Sequence, residues 1–173
     1  KDGIRFAGGG AIHEGDAVAS QAWSDAGAAY DRLAALGGAI DLSGQDLGGI
    51  GSLSAGIYRF ASSAALTGAL TIDFANDPTG VVVFQIGSTL TTAASSVVNV
   101  INGTSSNGIY FQVGSAATLG AASVFAGNIL AQQSVNFGAA ASIGCGRALA
   151  ATVTMIGNTL SNDQLAYEKF DYM

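Results

Sequence analysis

Two hydrophobic periods divide the chain. From Asp16 to about Leu36 the apolar residues Val18, Ala22, Trp23, Ala26, Ala29, Tyr30 and Leu33 recur at three- and four-residue steps. That spacing places them on one stripe of an amphipathic helix, with Asp16 as its N-cap and Gly37-Gly38 as its stop signal. Gly27 inside this helix costs about 1 kcal/mol against alanine, unless close packing on a sheet requires the missing side chain. From Ile40 onward the period drops to two. Short β-type segments at 56–60, 70–74 and 81–86, and on to Leu160, alternate with Gly, Asn and Asp, and no second helix is predicted. The Gly-rich residues 1–15 hold Ile4 and Phe6 in a short strand, and residues 161–173 form an aromatic and acidic tail or cap.

The β-type segments repeat. The run beginning at Ser123 returns at Ser142 and closes on Gly157 where the first closed on Gly138, the same offset at both ends. Phe84-Gln85-Ile86-Gly87-Ser88 returns as Phe111-Gln112-Val113-Gly114-Ser115 at a longer interval, the excess lying in the loop around residues 102–108. A fixed period near 20 in a Gly/Ala/Ser/Thr/Val-rich chain marks a solenoid, in which each turn buries its inner face only against its neighbours. The expected fold is therefore all-β with one long α-helix: a parallel β-solenoid of about 19-residue coils, the helix packed along one flank. Residues 1–173 read as a single domain, with a lead-in at 1–15, the helix at 16–36, the solenoid at 40–160 and the tail.

Alternation within a strand separates an inner from an outer set. In the segment after each Gly or Ser corner the inner set is Ala64 and Leu66, Leu90 and Thr92, Ala117 and Leu119, Val135 and Phe137, and Val153 and Met155. The outer set is Ser63, Ala65 and Thr67; Thr89, Thr91 and Ala93; Ala116, Thr118 and Gly120; Ser134, Asn136 and Gly138; and Thr152, Thr154 and Ile156. None of these outer positions is charged. A large uncharged face points to an interaction surface, although Thr and Ser also favour strands and turns without any binding role.

Composition narrows the alternatives. Charged residues are 10% and the net charge is −6 with Lys and Arg numbering six, so no basic footprint for nucleic acid or anionic lipid is present. No apolar run reaches the ~18 residues of a membrane span. The single cysteine, Cys145, is either a small residue buried in a coil or an intermolecular link. Asp41, Asp46, Asp73 and Asp77 stand beside Gly, Ser or Asn and read as turn residues. His13, the single histidine, reads as a surface residue, and Arg147 as a corner cap. Gly8-Gly9-Gly10 lacks the Lys-Ser/Thr of a phosphate loop. Neither a catalytic site nor a metal or cofactor site is expected.

Six segments in order carry a resemblance: Asp16–Ala19 through Ala28–Asp31, Leu53–Tyr58, Val83–Ile86, Tyr110–Val113, Gly127–Gln132 and Gly146–Ala150. Over roughly residues 15–160 the chain resembles the ice-binding protein family with a discontinuous, right-handed β-solenoid. The resemblance implies that the partner is an ice crystal surface and that the outer set above is the ice-binding face. It also implies a secreted or cell-surface location and no enzymatic activity. Members of that family carry several strands before the helix, whereas this chain starts almost at it. Either the chain is a fragment or processed form, or a homo-oligomer or second chain completes the N-terminal coil. The rival reading is an extracellular structural or adhesive module, a filament or surface-layer subunit that uses the same face or the solenoid end.

Overall fold

The computed structural model describes residues 11–75 and 77–160. The expected strand at Ile4 and Phe6, Gly8-Gly9-Gly10 and the expected tail at 161–173 lie outside the described residues. Helix α1 (Ala17–Ala34) comes first, and the Asp16 carboxylate accepts the Ala19 N–H at 2.8 Å as its N-cap. His13 is exposed, its Nδ1 2.7 Å from the same carboxylate. Six coils follow. The first holds β1 (Ile40–Asp41), α2 (Leu47–Ile50) and β2 (Ser52–Leu53). The second holds β3 (Gly56–Phe60), β4 (Ala64–Leu66) and β5 (Ala69–Asp73). The third holds β6 (Val81–Ile86), β7 (Leu90–Thr92) and β8 (Val97–Ile101), and the fourth β9 (Gly108–Val113), β10 (Ala116–Leu119) and β11 (Val124–Ala126). The fifth holds β12 (Asn128–Ala131), β13 (Ser134–Phe137) and β14 (Ser142–Gly144), and the last β15 (Ala148–Leu149), β16 (Thr152–Thr154) and β17 (Thr159–Leu160).

Each of the last five coils contributes one strand to each of three parallel sheets and the first contributes to two, so the body is a three-sided solenoid. Face A is β1-β3-β6-β9-β12-β15, face B is β4-β7-β10-β13-β16, and face C is β2-β5-β8-β11-β14-β17. The inward residues stack coil on coil. Phe84 and Phe111 lie with ring centroids 4.5 Å apart at 15°, with Tyr58 at 5.6 Å from Phe84 and Phe125 at 4.6 Å from Phe111. Phe84 pairs with Phe111 as the longer repeat requires, and the loop at 102–107 takes up the extra length.

The shorter repeat is corrected in its register. Val124 pairs with Ser142 and Val135 with Val153, each one residue short of the offset between Ser123 and Ser142. The full offset holds only on face A, where Ile129 pairs with Ala148. Two residues separate Ala126 from Ile129, but three separate Gly144 from Ala148, and the added one comes with Cys145 at φ +53°. The next corner is a residue shorter and restores the count. A one-residue slip exchanges the two faces of a strand, so Ser142 points outward instead of matching the buried Ser123. Cys145 is half-buried at this corner, and exposed Arg147 stands at the start of β15.

The second correction is α2. Residues 47–50 form one helical turn where face B of the first coil would be, and Leu47 is buried. Asp46 holds it there: its carboxylate accepts the N–H groups of Gly48 and Thr67 and the Thr67 hydroxyl, at 2.8–2.9 Å. Burial alone would raise the Asp46 pKa, but the bonds from Thr67 and Gly48 hold it below the ordinary carboxylate value. A lowered folded pKa stabilises the fold at pH above the unfolded value near ~3.9, and that contribution is lost as pH falls through the folded value. Asp46→Ala should therefore cost about 2 kcal/mol at neutral pH, as a lost cap with two further bonds does. Urea titrations of the two proteins should converge in acid; an unchanged midpoint at pH 7 would contradict this role.

Helix α1 lies on face A. Gln85, buried there, donates from Nε2 to the carbonyls of Leu33 and Leu36, both at 2.8 Å, which fixes the C-terminal end of the helix over the third coil. Ala26, Ala29, Tyr30 and Leu33 are half-buried, but Val18 and Trp23 remain 55% and 58% exposed. Trp23 stands beside Leu149 and Ala150 of the last coil. With a helical rise of about 1.5 Å per residue, the N-terminal turns of α1 pass beyond that coil, so among the described residues their apolar stripe has no sheet beneath it. Around Gly27 there is open space, so sheet packing does not explain the glycine. Gly27→Ala should raise stability by about 0.5–1 kcal/mol, read as a higher melting temperature.

Candidate functional site

Face B carries the predicted surface, and its inner and outer sets separate as alternation requires. Ala64, Leu66, Leu90, Thr92, Ala117, Leu119, Val135 and Phe137 are buried, and the Thr92 hydroxyl is satisfied by accepting the Gly120 N–H at 2.9 Å. Val153 and Met155, expected inside, are 40% and 38% exposed. They belong to the last described coil, and a solenoid residue is covered only when a neighbouring coil stacks on it.

The outer residues form rows across five coils. The central row is Ala65, Thr91, Thr118, Asn136 and Thr154, each in register with the next. One side row runs through Ala116, Ser134 and Thr152, with Thr89 donating its hydroxyl proton to Ser63 Oγ at 2.9 Å in the coils before. Thr67, Ala93, Gly120, Gly138 and Ile156 follow the strand ends on the other side. Gly120 and Gly138 sit so close to the preceding coil that an added Cβ would stand 2.4 Å from Ala93 C and 2.6 Å from Ala121 N. Main chain is therefore packed against main chain there, and the row stays flush. Rows lie about 4.8 Å apart along the coil axis, and alternate residues about 6.6 Å apart along each strand.

Most of these side chains have little freedom. Asn136 Nδ2 bonds Ser134 Oγ at 3.0 Å, and Thr67 is committed to Asp46. Two features break the pattern. Asp46 brings a carboxylate to the rim, and Ile156, 82% exposed, stands past the end of β16. Sequence reasoning missed face C, where Val124 is 51% and Ile101 44% exposed.

The four solenoid aspartates behave alike. Asp41, Asp46, Asp73 and Asp77 each accept the backbone N–H two residues on, from Ser43, Gly48, Ala75 and Thr79. They are turn-forming carboxylates. Hydrogen bonds from Ser43 lower the Asp41 pKa, and those from Asn102 and Ala75 lower that of Asp73.

Comparison with known proteins gives a consistent result. The family model described as "Ice-binding-like" matches residues 3–161. An ice-binding protein of Nostoc sp. (strain HG1) is 50% identical over 155 residues, covering 88% of this chain and 57% of the relative. Ice-binding protein 1 of Shewanella frigidimarina is 34% identical over 152 residues, 84% of this chain and 17% of that protein. The chain thus spans little more than half of the first relative and a sixth of the second. Among solved structures, the ice-binding protein of the Antarctic ascomycete Antarctomyces psychrotrophicus superposes with a TM-score of 0.80 at 37% identity, covering 86% of this chain and 73% of that one.

Proposed function

This chain belongs to the ice-binding-like family, and we propose that it adsorbs to ice through face B and so arrests crystal growth or recrystallisation. The observation that carries this reading is the uncharged outer set, held in register across five coils. Thr methyls and hydroxyls at fixed spacing order a water layer that fits an ice lattice. Adsorption then needs little further ordering. Ala, Ser and Thr lose little rotamer freedom on contact, whereas each Lys or Glu would lose about 1.5–2 kcal/mol. The reading places the protein outside the cell, where ice grows, and assigns it no catalytic step. The test is partition into slowly grown polycrystalline ice. The chain is expected to concentrate in the ice fraction, and exclusion into the liquid like an inert protein would contradict the proposal.

One observation favours a second reading, assembly through a solenoid end. Among the described residues both end coils are open: α2 stands only on the face B side of the first, where Ile40, in register with the buried Tyr58, is 57% exposed, and the last coil is open as well. Val153, Met155 and Leu160 are 38–40% exposed there, against 0%, 9% and 1% for Val135, Phe137 and Ile143 one coil earlier. Among the described residues the outer edges of β15, β16 and β17 pair with no further strand, and such edges offer pairing to β-strands. A polymeric mass on size exclusion, with no partition into ice, would favour that reading.

A further inference from the structure

We propose that Asn102 is a site of spontaneous deamidation, which replaces a hydrogen bond by a contact between two carboxylates and loosens the corner between faces C and A. Asparagine precedes glycine twice in the chain, at Asn102-Gly103 and Asn107-Gly108. Asparagine is thermolabile, and a glycine after it, having no Cβ, leaves the next backbone nitrogen unhindered. That nitrogen attacks Cγ of the asparagine, the side-chain amide leaves as ammonia, and a cyclic imide remains. Water then opens the ring. Breaking the bond from nitrogen to Cγ gives aspartate, and breaking the bond from nitrogen to the main-chain carbonyl gives isoaspartate. One water enters and one ammonia leaves.

The fold treats the two pairs differently. Asn107 is half-buried, and its Nδ2 donates to the carbonyls of Asp77 and Gly80 at 3.1 and 2.9 Å. Its Oδ1 accepts the Thr104 N–H at 2.6 Å, and the Gly108 N–H is itself bonded to the Gly80 carbonyl at 3.4 Å. Reaction at Asn107 would break all of these. Asn102 is exposed, and its side chain is held by one bond, from Nδ2 to Asp73 Oδ1 at 2.8 Å. Among the described residues no hydrogen bond engages the Gly103 N–H. The attacking nitrogen is therefore free at Asn102 and occupied at Asn107.

The product has a structural effect. Asn102 follows β8 on face C, before the chain crosses to β9 on face A, and its amide steadies Asp73 at the end of β5. The same Asp73 carboxylate accepts the Ala75 N–H at 2.9 Å and so forms the turn that follows β5. A carboxylate at position 102 removes a donor and sets two like charges against each other.

The test incubates the purified full chain in a mildly alkaline buffer, with and without urea, and maps its peptides by mass spectrometry. In the folded chain, conversion at Asn102 is expected to run at least about tenfold faster than at Asn107, because fewer hydrogen bonds must break. In urea the two sites should convert at similar rates. Equal rates in the folded chain, or a faster rate at Asn107, would overturn the proposal. The same preference surviving in urea would also overturn it, since the fold would then not be its cause. Asn102→Asp, which mimics the product, should melt below the wild type. Adding Asp73→Asn, which returns an amide to the contact, should recover most of the loss. A wild-type melting temperature for Asn102→Asp would contradict the loosened corner.

Discussion

Thr91→Tyr is expected to lower the freezing-point hysteresis of the chain by at least about tenfold with no change in mass on size exclusion, because dispersion contact collapses once surfaces are held apart. Thr91 is exposed at the middle of the central row, in register with Ala65 on one side and Thr118 on the other. A tyrosine ring there would stand several ångströms above the neighbouring methyls. A gap of only about 0.5–1 Å forfeits a quarter to a half of each contact, so the rows around it would lose nearly all of theirs. The solenoid itself should be indifferent, because the Thr91 side chain points away from the core. Hysteresis within twofold of wild type would mean that face B is not the surface that stops growth.

Phe111→Ala is expected to destabilise the fold by about 4 kcal/mol, the cost of truncating a fully buried phenylalanine. Phe111 is 0% exposed and its ring touches both Phe84 in the coil before and Phe125 in the same coil's face C strand. In a solenoid each coil is held by its neighbours, so a cavity at this position weakens both the stacking between coils and the packing within one. Since whole domains have only about 5–15 kcal/mol to lose, the variant should melt far below the wild type and show a lower urea midpoint. Phe111→Leu, which keeps more of the volume, should cost clearly less. A loss under about 1 kcal/mol for Phe111→Ala would contradict a core built as one continuous stack.

Much of this architecture was legible in the sequence because it rests on local periodicity. The three- and four-residue steps from Val18 to Leu33 mark α1, and strict alternation sorted Leu66, Leu90 and Leu119 inward from Ala65, Thr91 and Thr118. What escaped depends on partners distant in sequence. The turn α2 has two glycines in four residues and is held by an Asp46–Thr67 contact across 21 positions. Gln85 gives no local sign that it binds the end of a helix far earlier in the chain. The full offset is reached on face A alone, where Cys145 adds a residue in a left-handed conformation that favours glycine, so the textual repeat misleads on two faces of three. Val18 and Trp23 fit the apolar stripe, yet a hydrophobic period cannot say whether a sheet lies beneath every turn. Face C was hidden because Val97-Val98 is apolar in both directions, leaving no polar residue to mark the outward side. The role of face B in ice binding was read from missing charge and from resemblance, and activity is what tests it.

The most direct measurement is therefore ice-crystal shaping and freezing-point hysteresis of the purified wild-type chain, with its mass determined in the same buffer. The account predicts faceted crystals and a hysteresis gap at a monomeric mass, since face B lies wholly within one chain. Round crystals that grow without a gap, from a chain that is folded by circular dichroism, would contradict it.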